Sequence, residues 1–130
     1  MNPPMRSLVI DDEAVARLHL RILLESRGTV DEASDAISGL ERVRQAIAAS
    51  APYDLVCIDL SMPGTGGIEA IRMLHEVDRT MRDGRHTHVV VVTASDDQKD
   101  IRAALHQHVD GYLLKPVTPG QVAETIDPLD

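Results

Sequence analysis

The chain has no tryptophan and no phenylalanine, and only two tyrosines and one cysteine. So few rings exclude a stacking platform for single-stranded nucleic acid. A lone Cys57 cannot close an internal disulfide, which fits a reducing cytoplasm, and its neighbours Val56 and Ile58 give it a packing role. Cations are also scarce: 13 Lys and Arg face 21 Asp and Glu, a formal net charge of -8. Phosphate backbones are held by clustered Lys and Arg, so no direct nucleic-acid contact is expected, and DNA binding would need another domain. No apolar run approaches the roughly 20 residues that cross a bilayer. Residues 1–6 are short and proline-bearing, and Ser7-Leu8-Val9-Ile10 is too brief for a signal-peptide core. Neither membrane nor export is expected, and the location read from this is cytoplasmic.

What remains is enough for one core. The 130 residues fall in the range of a single domain, 1–130, and no repeat or linker divides them. Short β-branched runs alternate with segments of helical period. The first strand is Ser7-Leu8-Val9-Ile10. Residues 13–27 read as a helix with Val15, Leu18 and Ile22 on one face and Gly28 as its stop. A weak second strand, 29–33, is followed by Asp35 as the N-cap of a helix bearing Ile37, Leu40, Val43 and Ile47. Leu55-Val56-Cys57-Ile58-Asp59 is the third strand. After the loop Met62-Pro63-Gly64-Thr65-Gly66-Gly67, a third helix carries Ala70, Leu74 and Val77, and a polar stretch, 79–87, follows it. Val89-Val90-Val91-Val92 is apolar without alternation, the mark of a strand buried on both faces. A helix over 97–108 with Ile101 and Leu105 inward, a strand at Tyr112-Leu113-Leu114 and a short last helix over 121–126 complete the pattern. The fold class is therefore α/β: a (βα)5 doubly wound, five-stranded parallel sheet of flavodoxin-like order 2-1-3-4-5, with ligands at the carboxyl ends of its strands.

Parallel strands end on the same edge, so the residues that end them share it. These are Asp11 and Asp12, Asp59, Thr93 and Lys115. Adjacent carboxylates repel by about 4 kcal/mol per pair at ~4 Å and an effective dielectric near 20. Lys115 supplies one compensating charge and a divalent cation could supply the rest. With carboxylates and no His or Cys pair in the motif, a hard metal such as magnesium is favoured over zinc or copper. The set reads as phosphoryl chemistry: Asp59 as nucleophile, metal and Lys115 neutralising phosphoryl oxygens, Thr93 donating to them.

Four blocks carry a resemblance over nearly the whole chain: Leu8-Val9-Ile10-Asp11-Asp12-Glu13; Asp59-Leu60-Ser61-Met62-Pro63 with Gly66-Gly67; Val92-Thr93-Ala94; and Gly111-Tyr112-Leu113-Leu114-Lys115-Pro116. Together they resemble the receiver domains of response regulators in two-component signalling. The resemblance implies that Asp59 takes phosphate from a histidine kinase, a histidine phosphotransfer protein or a small phosphodonor. It implies Mg2+ bound by Asp12, Asp59 and the main-chain carbonyl of Ser61, with Asp11 acting through water. Thr93 and Tyr112 would act as a switch that reshapes the face of the fourth helix, fifth strand and fifth helix for a downstream partner or a phosphorylation-dependent homodimer. Ser61 and Ser95 would tune phosphoryl lifetime, and Lys115-Pro116 would be cis. Such a domain forms and slowly loses its own aspartyl phosphate without being a turnover enzyme.

Two other classes answer to parts of the pattern. Haloacid-dehalogenase-type phosphatases also set a strand-end Asp, a Thr and a Lys around magnesium. They place the nucleophile after the first strand and a second Asp two residues on, where this chain has Ser61. A flavin module would need a phosphate-cradling first loop, and Asp11-Asp12 would repel it. Taken singly, Asp11-Asp12 could be a helix cap, Thr93 a strand end and Lys115 a surface charge; only their common edge argues otherwise. The pairs His86/His88 and His106/His108 suggest metal, yet residues two apart on a helix do not face each other, which disqualifies the second pair, and solvated loop and helix histidines are the plainer reading. His19 shows nothing of a phosphorelay histidine, and Tyr53 reads as packing. The Met start favours a stand-alone regulator over the input domain of a longer chain, whereas the short last helix departs from the family's usual length.

Overall fold

In a computed structural model, which describes residues 4–62, 66–81, 86–94 and 98–129, five strands and five helices alternate along the chain. The strands are β1 (Met5–Ile10), β2 (Gly28–Ala33), β3 (Leu55–Asp59), β4 (His88–Thr93) and β5 (Gly111–Leu114). They pair in parallel in the order β2-β1-β3-β4-β5, as the pattern predicts. The helices are α1 (Ala14–Leu24), α2 (Ala36–Ala48), α3 (Gly67–Met81), α4 (Gln98–Leu105) and α5 (Pro119–Thr125). No helix among the described residues is long and apolar enough to cross a membrane.

The period-2 geometry of the strands sends alternate side chains into two cores. Leu8, Ile10, Val56, Ile58, Val89 and Val91 pack with Leu40, Val43, Ile71 and Leu74 on the face of α2 and α3. Val9, Leu55, Cys57, Val90, Val92 and Leu113 pack with Leu20, Leu24, Val122 and Ile126 on the face of α1 and α5. Because both faces of the central strands are covered, their apolar runs do not alternate, and Cys57 is fully buried.

Several helix faces differ from the sequence expectation. On α1 the stripe Val15, Leu18 and Ile22 is 82 %, 51 % and 58 % exposed, while Leu20 and Leu24 face the sheet. This helix is apolar around most of its circumference, so period alone cannot choose the buried side. It stops at Leu24, a 3-10 turn covers Glu25–Arg27, and Gly28 begins β2 at φ 147. A Cβ there would strike the Met5 backbone. On α2, Asp35 caps as expected, accepting from the Ser38 N–H at 2.7 Å, but Ile37 is exposed and Gly39 faces inward. The helix α3 runs on through the first part of the 79–87 stretch, and buried Asp78 receives the Thr87 N–H at 3.1 Å, fastening the connection to β4. Residues 82–85, the centre of that connection, lie outside the described residues, as do 63–65 and Ser95.

On α4, Ala104 is buried and Leu105 is 52 % exposed at the helix end; the Ile101 side chain lies outside those described. The helix stops at Leu105, so His106 and His108 are not helical, and His108 takes a left-handed φ of 59. His86 and His88 pair with separate acids, Asp78 and Asp110. Tyr53 is packed, and its hydroxyl also donates to Asp31 Oδ2 at 2.5 Å. The last helix begins at Pro119, two residues before the expected start, because Thr118 and Gln121 form a reciprocal capping box.

Candidate functional site

Asp11 follows β1 and Asp59 ends β3, and these strands are neighbours, so their carboxylates meet at the carboxyl edge of the sheet. Lys115 follows β5. Its backbone N–H donates to the Thr93 carbonyl at 2.8 Å, and its side chain turns back across the edge. The ammonium Nζ lies 2.8 Å from Asp11 Oδ2, 3.0 Å from Glu13 Oε1 and 3.3 Å from Asp59 Oδ2. Carboxylate oxygens of Asp11, Glu13 and Asp59 all lie within 4.8 Å of one another.

Local structure aims each acid. The Ser61 N–H donates to Asp59 Oδ1 at 3.0 Å, and the Glu13 N–H donates to Asp11 Oδ1 at 2.9 Å, so each carboxylate is fixed by the turn that follows its strand. Asp11 and Asp59 are only 3 % and 2 % exposed. Burial pushes the Asp59 carboxyl above its ordinary range; the Ser61 N–H and Lys115 pull it down and Asp11 pushes it further up. Burial works against the Lys115 charge, but hydrogen bonds to Asp11 and Glu13 and the Asp59 charge overcome it and raise its pKa. Three carboxylates thus share one ammonium and leave an excess of negative charge. Their oxygens, with no imidazole or thiolate among the described residues of the cluster, are the donor set of a hard divalent cation.

Of the residues read from sequence, Asp11, Asp59 and Lys115 converge in direct contact, and the Ser61 main chain joins them through Asp59. Thr93 is buried at the end of β4, in register with Leu114. Asp12 is exposed and outside the three-carboxylate cluster. Tyr112 lies on β5 beside Val91 and is 37 % exposed. The Lys115-Pro116 peptide is cis. The third carboxylate, Glu13, escaped the sequence reading, although it closes an unbroken acidic run, Asp11-Asp12-Glu13, directly after β1. Beside Lys115 a groove of about 550 Å³ opens between Val15, Ala16 and His19 of α1 and the Pro116-Val117 segment.

The chain is 34% identical over 116 residues to the transcriptional regulatory protein ResD of Bacillus subtilis, covering 88% of this chain and 43% of ResD. The chain spans about half the length of the curated relatives it matches. Its fold is that of the receiver domain of the histidine kinase CKI1 from Arabidopsis thaliana complexed with Mg2+ and BeF3- (TM-score 0.83, 24% identity, 96% of this chain and 89% of that one). It is also that of the chemotaxis protein CheY4 of Vibrio cholerae (TM-score 0.79, 19% identity, 98% of this chain and 100% of that one). The family model for the response regulator receiver domain matches residues 7–127, and with the strand order and the edge that gathers Asp11, Asp59 and Lys115, the chain belongs to that family.

Proposed function

We propose that residues 1–130 form one receiver domain in which Asp59 accepts a phosphoryl group from the phosphohistidine of a histidine kinase or a histidine phosphotransfer protein, or from a small acyl phosphate. The observation that carries this is the buried Asp59 carboxylate, raised in pKa and 3.3 Å from Lys115 Nζ, at an edge with an excess of carboxylates. An Asp59 oxygen attacks phosphorus, the bond from phosphorus to the donor's nitrogen or acyl oxygen breaks with its electron pair leaving on the donor, and an acyl phosphate forms on Asp59. Lys115, already poised among three acids, meets the phosphoryl oxygens as the reaction proceeds, and the Thr93 hydroxyl donates to them.

Mg2+, when bound, would neutralise the carboxylates and the phosphoryl oxygens. Asp12, Asp59 and the Ser61 carbonyl would hold it, with Asp11 acting through water and Glu13 close by. The Mg2+ and BeF3- reported with the CKI1 receiver support this reading. The Thr93 and Tyr112 side chains then switch the face of α4, β5 and α5, which binds a downstream protein or a second copy of the chain. The acyl phosphate hydrolyses slowly, so the modification is a signal and not a step in turnover; the family match gives the dehalogenase-type phosphatase reading no support.

The test is magnesium-dependent labelling of the chain by a small acyl phosphate, comparing it with Asp59→Asn. Labelling of the native chain that disappears in Asp59→Asn and in EDTA is expected. Labelling that persists in the variant would overturn the assignment.

A further inference from the structure

We infer that Arg17 is a positioning residue for the metal-binding loop: it clamps the peptide between Asp11 and Asp12 and so sets the point on the main chain from which the Asp12 side chain departs. The inference rests on the magnesium-dependent reading above.

Only Asp11, Asp12 and Glu13 connect β1 to α1, so three acids follow one another in a short loop where like charges repel. The main chain at Asp11 is held from both sides. Its N–H donates to the Ala33 carbonyl at 3.1 Å, and its carbonyl accepts from Arg17 Nη1 at 2.8 Å. A peptide is planar, so fixing the Asp11 carbonyl also fixes the Asp12 nitrogen and Cα, the point from which its side chain departs. Arg17 is itself aimed from β2: its Nε donates to Glu32 Oε1 at 3.0 Å, and the two side chains are 20 % and 24 % exposed. The guanidinium spans Glu32 and the loop with two N–H groups in one rigid plane. A lysine has no second fixed donor to do so.

A control lies one turn on. Arg21 Nη1 reaches the other oxygen of Glu32 at 2.6 Å, but its Nε donates to Glu25 at 3.0 Å and not to the loop. Removing Arg21 therefore takes a partner from Glu32 and leaves the Asp11 carbonyl clamped. Were the Arg17 contact merely a surface ion pair, the two arginines would be equivalent.

The experiment titrates Mg2+ into the native 130-residue chain and into Arg17→Met, Arg17→Lys and Arg21→Met, following backbone amide shifts of residues 11–13 by NMR. Removing a group that orients a metal site weakens the metal by roughly 10-fold or more. Arg17→Met should raise the Kd for Mg2+ by about that factor and Arg17→Lys should not restore it, while Arg21→Met stays within about twofold. Glu32→Gln, which frees Arg17 from its far end, should raise the Kd in the same direction and serves where Arg17→Met does not fold. An unchanged Kd in folded Arg17→Met, or an equal rise in Arg21→Met, overturns the role of Arg17 and leaves the phosphoacceptor reading standing. A native chain that binds no Mg2+ and takes no label overturns both.

Discussion

Lys115 Nζ lies nearer to Asp11 than to Asp59, 2.8 Å against 3.3 Å. The lysine is therefore held mainly by the loop after β1, and the Asp59 carboxylate keeps part of its desolvation cost uncompensated, which is why its pKa rises. A raised carboxyl ionises more readily in the unfolded chain than in the folded one. The folded state then loses stability as pH climbs from the ordinary carboxylate range through the folded value, and carries that loss at neutral pH. Asp59→Asn removes it. In EDTA the variant should melt above the native chain at about pH 7, and the two should converge below about pH 4, where both side chains are neutral. A variant that melts lower at neutral pH would contradict this electrostatic account.

The opposite change removes the cation. Lys115 is 14 % exposed, and Asp11 and Asp59 are 5 % and 3 % exposed as side chains, so Lys115→Met strands charges in a shielded place. Breaking a buried pair from one side costs about 3 kcal/mol or more. Urea unfolding in EDTA should show a loss of that order, and saturating Mg2+ should recover a substantial part by supplying positive charge to the same oxygens. Equal losses with and without Mg2+ would count against the acids forming a cation site.

Much of the architecture was legible because it depends on features that period and composition expose. A run such as Val89-Val90-Val91-Val92 fits only a strand covered on both faces, and once the strands are parallel their terminal residues must share an edge. What stayed hidden depends on proximity. The choice between the two apolar sides of α1 is made by the sheet beneath it, so Val15, Leu18 and Ile22 face outward although their spacing is helical. Glu13 looks like an ordinary acid at a helix start and becomes part of the site only when Lys115, 102 residues on, arrives beside it. Likewise His19 shows nothing in sequence, yet its Nε2 is 2.7 Å from the Val117 carbonyl, 98 residues away, beside the groove at Lys115.

Glu32 should give a pH dependence of the opposite sign to Asp59. Hydrogen bonds from Arg21 above all, and from Arg17, hold its carboxyl below the ordinary range against the effect of burial. Such a group contributes stability above the unfolded pKa and loses it as pH falls through the lower folded value. Glu32→Gln should therefore cost up to about 1 kcal/mol at neutral pH, the scale of partly exposed ion pairs. Its urea midpoint should approach the native one as pH falls below the ordinary carboxylate range, where native Glu32 also loses its charge. A gap that does not narrow in acid would mean that the side chain stabilises by packing and not by charge.

Gly39 and Ile10 offer a test of how α2 seats on the sheet beside the site. A Cβ at Gly39 would overlap the end of the Ile10 side chain and come within 2.8 Å of its Cγ1. Ile10 immediately precedes Asp11, so it has little freedom to withdraw without moving the loop that carries the acids. Alanine favours a helix interior over glycine by about 1 kcal/mol, whereas overpacking a closed core costs about 1–3 kcal/mol. The second effect should win, and Gly39→Ala should be destabilising. Ile10→Val removes the overlapping methyl and alone should cost about 0.5–1.5 kcal/mol. If the overlap is the cause, the double variant should lose less than the sum of the single changes by about 1 kcal/mol, a coupling within the range seen for residues in contact. Urea unfolding of the four proteins measures it. Strict additivity would show that α2 shifts bodily to admit the methyl group, and Mg2+ affinity in Gly39→Ala should then stay unchanged, because Ile10 and the Asp11 that follows it keep their places.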